Sequence, residues 1–165
     1  MAIGPRYPSL TAVLHNKATA ADKQKSWQLL TRLAPQIRLT ERAAALSDCD
    51  FHRDWKLGPN LMLPEYATAR FLAMLLAAQA DLLSEEGRPL EALRSIAFGA
   101  RIGQHMARDP IMIALLVRIA IAAIMNQAFL RIIKTYAGRM SSTLLSIRSA
   151  LLEIRRIICM PARAK

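Results

Sequence analysis

The chain has 165 residues, which is the usual length of a single domain with a core of its own. Hydrophobic residues make up 53% of it, charged residues 21% and aromatic residues 5%, a composition typical of an Ala-, Leu- and Ile-rich helical protein. The two cysteines lie far apart and exclude a disulfide framework. A reducing compartment is therefore favoured, with a single disulfide as the alternative.

The net charge of +11 is distributed unevenly. Residues 1–87 hold 10 Lys and Arg against 9 Asp and Glu, whereas residues 88–165 hold 13 against 3. A basic half of this kind attracts anionic partners, such as nucleic acid or an acidic membrane surface. The asymmetry is the most informative functional signal in the sequence.

The first 21 residues mix Pro, Gly, Ser, Thr, Ala and Lys, which predicts a flexible lead-in with a turn of helix near residues 10–16. Pro5, Arg6 and Pro8 interrupt any secretory apolar run. A cytoplasmic location is therefore favoured, with peripheral attachment to a membrane as the alternative.

An amphipathic segment follows, and we expect one helical domain over residues 22–160 with a basic tail at residues 161–165. Pro35 removes a backbone donor and clashes with the preceding turn, so a break or kink is expected there. A second helical piece should resume over residues 36–46. The apolar face of the segment comprises Trp27, Leu30, Leu33, Ala34 and Ile37.

Residues 47–63 are predicted to form an ordered loop, because they are rich in Asp and contain Gly58 and Pro59. Loops of this length are uncommon in compact domains unless they carry a function. The side chains of Phe51, Trp55 and Leu57 are expected to cover the open end of the helices that follow. This loop is the first candidate for a binding surface, and its candidate residues are Asp50, His52, Asp54 and Trp55.

Three core helices are predicted, over residues 67–86, 89–108 and 110–137. Gly87 suits the left-handed position after a helix and Pro89 suits the first turn of the next one, so the first two helices should be antiparallel neighbours. The expected fold is all-α. It is an antiparallel helical hairpin plus a buried third helix, within a helical-repeat-like stack of about five to six helices.

The third core helix is apolar on almost every side, which is typical of a helix buried among others or of one that spans a bilayer. Arg118 and Arg131 bracket its apolar run, and Asn126 and Gln127 lie inside it. An arginine at the bilayer centre costs roughly 2.5–3.5 kcal/mol. The centre of a helical stack is therefore favoured over a membrane span.

A final amphipathic helix is predicted over residues 141–160, because its apolar side chains step by three and four. The end of a helical array exposes an apolar seam that needs a cap or a partner. We expect this helix to cap that seam or to dock on a second copy of the chain. Its apolar face comprises Leu144, Ile147, Leu151, Ile154 and Ile158.

Arginines recur every seven residues along the second core helix and should line one face of it. With the arginines of the last helix they are a candidate surface for the phosphates of an anionic partner, such as a membrane surface. A solvated helix face is the simpler interpretation. Nucleic acid is disfavoured because aromatic side chains for base stacking are scarce in this half. The candidate residues are Arg94, Arg101, Arg108, Arg148, Arg155 and Arg156.

Sequence motifs typical of catalytic, metal-binding or phosphate-binding sites are scarce. Cys49 and His52 lie near two aspartates, but zinc sites usually show a second ligand pair, which this chain lacks. Cys49 with His52 or His105 would be a nucleophile and base without an orienting third group or an oxyanion motif. Glycine-rich phosphate motifs and H-E-x-x-H are absent from the sequence. We therefore expect a protein that is not an enzyme, without catalytic residues, metal or cofactor.

One helix pair resembles a tetratricopeptide-type repeat, although Gln104 stands where the repeat usually closes with a proline. A wider pattern over residues 31–129 is similar to a family of uncharacterised all-α bacterial proteins. It includes Cys49-Asp50-Phe51 and Asp109-Pro110, and it departs from the family at Glu65, where a histidine is common. The resemblance implies an all-α fold and no activity. The repeat-like residues are Leu76, Ala80, Leu83, Gly87, Ala92, Ile96 and Gly99.

These observations favour a non-enzymatic helical scaffold or protein–protein interaction module that binds a protein partner or a second copy of itself. The alternative is a peripheral membrane protein that uses its basic, amphipathic second half on an anionic surface. A third hypothesis is an enzyme with its site in the loop of residues 47–63.

Overall fold

The computed structural model describes residues 7–60 and 62–137, and every regular element within these two stretches is a helix. The helices Pro64–Glu85, Pro89–Met106 and Met112–Ala137 pack on one another. The three helices that precede them in the chain pack mainly against the first two of these. The prediction of an all-α helical stack is confirmed. The helices are α1 (Pro8–Leu14), α2 (Ala20–Arg32), α3 (Ala34–Ala44), a 3-10 helix (Trp55–Asn60), α4 (Pro64–Glu85), α5 (Pro89–Met106) and α6 (Met112–Ala137).

Residues 7–21 belong to the helical fold, although the domain was expected to begin at residue 22. Leu10 and Val13 of α1 are buried in the core. The ring of Tyr7 stacks on Phe71 of α4, with 5.1 Å between the ring centroids. Burial of these apolar side chains stabilises the packing of α1 on α2 and α4. The structure thus corrects the flexible lead-in for residues 7–21.

The start of α2 and the break before α3 follow directly from local sequence. Thr19 and Asp22 form a capping box, in which the Thr19 hydroxyl accepts a hydrogen bond from the Asp22 amide at 3.2 Å and the Asp22 carboxylate accepts one from the Thr19 amide at 3.0 Å. Leu33 separates the two helices, and Pro35 stands in the first turn of α3. The break expected at Pro35 is confirmed, because proline fits a first turn and not a helix interior.

α4 and α5 form the predicted hairpin. Gly87 adopts the left-handed conformation with φ of +79°, which glycine adopts without strain. The Gly87 amide donates to the Ser84 carbonyl at 3.1 Å and the Arg88 amide to the Leu83 carbonyl at 3.0 Å, which satisfies the end of α4. Pro89 begins α5. The short turn leaves the two helices side by side.

α6 packs against both helices of the hairpin through one face. It crosses α5 closely because two glycines of α5 face it. A β-carbon at Gly99 would overlap the side chain of Met125, and one at Gly103 would lie 3.1 Å from Cγ2 of Ile121. The buried face of α6 comprises Ala114, Ile121, Met125, Ala128, Ile132 and Tyr136.

Two polar contacts bind the C-terminal half of α6 to α4. Arg131 donates from Nε and Nη2 to the carboxylate of Asp81, at 3.0 and 2.6 Å. The Tyr136 hydroxyl donates to the Ser84 carbonyl at 2.7 Å. Asp81 is 9% exposed, and this burial raises the pKa of its carboxyl even though Arg131 opposes the shift. The rotation of α6 about its axis is therefore set by paired polar groups as well as by apolar packing.

The face of α6 that points away from the hairpin is exposed, so the burial expected for the third core helix is found on one face only. Over its most apolar stretch 22% of the residues are buried. The physical reason is that the described helices lie on one side of it. The predicted helix over residues 141–160, its arginines and the basic tail over 161–165 lie outside the described residues.

Candidate functional site

The loop between α3 and α4 is held down by one arginine. The side chain of Arg53 is 5% exposed and forms ion pairs with Glu65 of α4 and with Asp109, which lies between α5 and α6. Its Nε donates to the Glu65 carboxylate at 2.7 Å and its Nη1 to the Tyr66 hydroxyl at 3.1 Å. One loop side chain thus joins the start of α4 to the end of the hairpin.

Aromatic rings enclose the same guanidinium. Its central carbon lies 4.7 Å from the ring centroid of Phe51, 5.7 Å from that of Trp55 and 4.8 Å from that of Tyr66. Burial, and then the hydrogen bond that Tyr66 donates to Asp109 at 2.6 Å, raise the pKa of the Tyr66 hydroxyl to about 12. Tyr66 is therefore a neutral donor in this cluster, which we call the Arg53 cluster.

Sequence reasoning did not single out Arg53. The sequence feature that could have identified it is its position between two aromatic residues, Phe51 and Trp55, in a loop otherwise rich in acidic residues. An arginine flanked in this way can stack on both rings and neutralise carboxylates around it. Asp109, between α5 and α6, is one of its two ion-pair partners.

The polar residues proposed as a binding loop mostly form local turns. The His52 amide donates to the Asp50 carboxylate at 2.8 Å, and the Lys56 amide donates to the Asp54 carboxylate at 3.0 Å. His52 has φ of 48°, and its side chain is 89% exposed. Trp55 is the member of the set that contacts the Arg53 cluster. Within residues 7–60 and 62–137, no group of three or more His, Cys, Asp or Glu side chains is placed to hold a metal ion.

The arginines of α5 and Arg108, just after it, do not form a continuous basic stripe. Arg101 is buried, and it donates to Gln104 at 2.8 Å and to the Leu46 carbonyl at 3.4 Å. Arg108 forms an ion pair with Asp48 and donates to the Ser47 carbonyl at 2.6 Å. Both side chains therefore bind the start of the loop. Arg94 is exposed.

An open groove of about 550 Å³ lies between α3, this loop, the first half of α4 and the end of α5. Its volume falls within the roughly 300–1,000 Å³ typical of ligand sites. Most of the lining is apolar and is contributed by α3, the loop, α4 and α5. Its main apolar residues are Leu39, Ala43, Phe51, Leu72, Ile102 and Met106.

The polar groups along the groove are few and carry no free charge. Glu65 is bound by Arg53. Burial raises the pKa of the Cys49 thiol, so the thiol stays protonated at neutral pH. His105 is 6% exposed, and burial lowers its pKa, so its imidazole is neutral. Its Nε2 lies 3.4 Å from the Ala44 carbonyl and carries the proton, because a carbonyl can only accept. The groove therefore suits an uncharged, apolar occupant.

Exposed large apolar side chains concentrate in two places among the described residues. Apart from Leu90, each lies either between residues 39 and 62 or on α6. In the first set, Leu39, which is 66% exposed, and Phe51 line the groove. The second covers the outer face of α6. Where exposed apolar side chains form a large patch, the patch usually marks a site of interaction.

Comparison with protein-family models, with curated proteins and with solved structures finds no match to this chain. The resemblance to an uncharacterised all-α family and to a tetratricopeptide-type hairpin therefore stays a prediction.

Proposed function

We propose that this protein is a non-enzymatic helical interaction module, and that its groove receives a short apolar segment of a partner protein. The main observation behind this proposal is the groove. It combines an apolar lining with an exposed rim, since Leu39 is 66% exposed and lines it. Interfaces of this kind place the apolar side chains of one helix into a groove of another protein.

The electrostatics of the groove decide which class of segment it takes. Glu65 is neutralised by Arg53, and Cys49 and His105 are uncharged. Burying a charged group of the partner here would leave it unpaired, at a cost of several kcal/mol. Apolar side chains meet no such penalty. The expected partner segment therefore carries apolar residues at helical spacing and no charge on its buried face.

The preformed loop supports the same function. Arg53 and Arg108 fix the loop of residues 47–63 to the helices, and Arg101 binds the carbonyl of Leu46 just before it. A groove whose wall is already ordered loses less entropy on binding than one that must first fold. The Arg53 cluster is thus best explained as the support of one groove wall.

The test is site-specific photocrosslinking in the cells that naturally make this chain. A photoreactive phenylalanine analogue at position 39, on the groove rim, should give one dominant protein adduct. The same analogue at Arg70, exposed on α4 and outside the groove lining, should not. Ala43→Arg, at an exposed lining position, should abolish the adduct, and Ala45→Arg, exposed beside it and outside the lining, should preserve it. Equal yields from positions 39 and 70, or an adduct that survives Ala43→Arg, would contradict the proposal.

A second function, attachment to an anionic membrane surface, is favoured by α6. Residues 112–136 are long and apolar enough to cross a membrane, with a mean hydropathy of 2.0. A span is disfavoured because α6 lies against two helices with charged surfaces, and because Arg131 binds Asp81. Lying flat on the surface would instead bury the exposed face. Vesicle flotation with and without anionic lipid tests this function, and binding that ignores lipid charge counts against it.

A further inference from the structure

The outer face of α6 carries a regular stripe. Seven exposed positions follow one another at alternating steps of four and three, and only Asn126 among them is polar. Helices show this average spacing of 3.5 residues where they face another helix along their length. The stripe comprises Met112, Leu116, Ile119, Ala123, Asn126, Leu130 and Ile133.

The chain that follows α6 has the same period. Five apolar residues beyond Ala137 alternate at steps of three and four, and no charged residue interrupts their line. The nearby arginines, Arg148, Arg155 and Arg156, fall at other positions of the same repeat. The apolar line comprises Leu144, Ile147, Leu151, Ile154 and Ile158.

We infer that residues 141–160 form a helix that packs antiparallel on the outer face of α6 and covers its stripe. The chain between Ala137 and Leu144 is short, and connections of about 2–8 residues join antiparallel neighbours in helical bundles. The line from Leu144 to Ile158 would extend about 21 Å, against about 32 Å for the stripe from Met112 to Ile133. The segment therefore fits within the surface that it would cover.

The side chains of the two lines also suit one another in this register. With Leu144 opposite Ile133, Ile154 lies opposite Ala123, a large residue against a small one. Small residues on α6 near the stripe, Ala120 and Ala122, let a second helix approach closely. The arginines then remain at the outer surface. In this arrangement α6 becomes the central helix of a larger stack.

Two other occupants of the face are disfavoured by the same observations. A second copy of the chain would have to overcome the loss of translational and rotational freedom, roughly 4–15 kcal/mol, whereas the neighbouring segment is already tethered to α6. A membrane surface would bury Asn126 and Gln127, which are both exposed on this face, among lipid groups. The adjacent segment is already tethered, and it covers Asn126, opposite Leu151 in this register, while Gln127 stays outside the stripe.

Disulfide trapping in the full-length protein tests the inference. In a background without the native cysteines, Cys49→Ser and Cys159→Ser, the pair Ala123→Cys and Ile154→Cys should oxidise within one chain. The control pair, Ala123→Cys and Arg156→Cys, places the second thiol off the apolar line and should remain reduced. Electrophoresis without reductant, with light scattering, distinguishes the products. A disulfide between two chains, or equal oxidation of both pairs, overturns the inference.

Thiol labelling gives a second readout that does not depend on bond geometry. Ala123→Cys alone should react with a maleimide at least about tenfold more slowly than Ala45→Cys, because the covered site reacts only after local opening. Leu151→Asp should bring the two rates together while leaving the far-UV spectrum helical. If position 123 reacts as fast as position 45 in buffer and is protected only by anionic vesicles, the face is a membrane surface and the inference is wrong.

Discussion

Arg53 in the loop after α3 forms an ion pair with Asp109 at the junction of α5 and α6, although 56 residues separate them in the sequence. The pair is the centre of the Arg53 cluster, and it fixes one wall of the apolar groove. The cluster also joins the loop to the start of α4 and to the residues between α5 and α6. The groove wall is therefore held in part by this buried cation, together with the contacts of Arg101 and Arg108.

Replacing Arg53 with leucine should destabilise the protein by about 3–5 kcal/mol, because Glu65 and Asp109 would be left partly buried without a counter-ion. Urea unfolding followed by circular dichroism measures the change. Arg42→Leu, on the exposed face of α3, is the matched control and should change stability by less than about 0.5 kcal/mol. Similar effects of the two substitutions would contradict the proposed role of the cluster.

The ion pair between Arg131 and Asp81 should contribute more to the free energy of unfolding than the exposed pair between Lys23 and Glu85. Arg131→Met leaves Asp81, 9% exposed, without its partner and should cost about 3 kcal/mol. Lys23 and Glu85 also lie 2.8 Å apart, but their side chains are 39% and 49% exposed, so Lys23→Met should cost less than about 1 kcal/mol. Equilibrium unfolding of both variants under one set of conditions makes the comparison.

The close crossing of α5 and α6 predicts a coupled pair of residues. Gly99→Ala should destabilise the protein by about 1–3 kcal/mol, because the added methyl group overlaps Met125. In a free helix the same change would be favourable by about 1 kcal/mol. Met125→Ala removes the overlap, so in that background Gly99→Ala should be neutral or stabilising. A double-mutant cycle measures this reversal. Additive effects would show that the overlap with Met125 does not cause the loss of stability.

His105 predicts a pH dependence of stability. Burial lowers its pKa below the ordinary value of 6.5, with Arg101 acting in the same direction and the bond to Ala44 opposing it. The unfolded chain therefore binds a proton here more readily than the folded one. The contribution of His105 to stability is complete above pH 6.5 and is lost as the pH falls through the folded-state pKa.

In wild type the unfolding free energy should fall between about pH 7.5 and pH 5.5. In His105→Gln this fall should be smaller, since the variant has no titrating side chain at position 105. His52→Gln, at a side chain that is 89% exposed, is the control for a histidine outside the core. Urea titrations at several pH values give the profile. A wild-type profile in His105→Gln would show that this imidazole is not responsible.

The sequence by itself determined the order and ends of most helices, because these depend on neighbours within one or two turns. Apolar spacing predicts the hairpin, Gly87 and Pro89 set its turn, and Pro35 sets the break between α2 and α3. It also pointed to the loop of residues 47–63, which forms one wall of the groove. It did not identify the groove, because the groove exists only where α3, α4 and α5 meet.

Only the tertiary structure decided which charged and apolar side chains are covered. Arg101 is buried and Arg94 is exposed although both belong to one seven-residue series, because Arg101 faces the end of α3. Arg53 is buried by partners that lie 12 and 56 residues away, a distance that no local pattern encodes. The apolar composition of α6 likewise predicts that it must be covered, whereas its contacts decide which face α4 and α5 cover. Helix formation is a local property, but burial is a relation between segments, and it is fixed only when the segments pack.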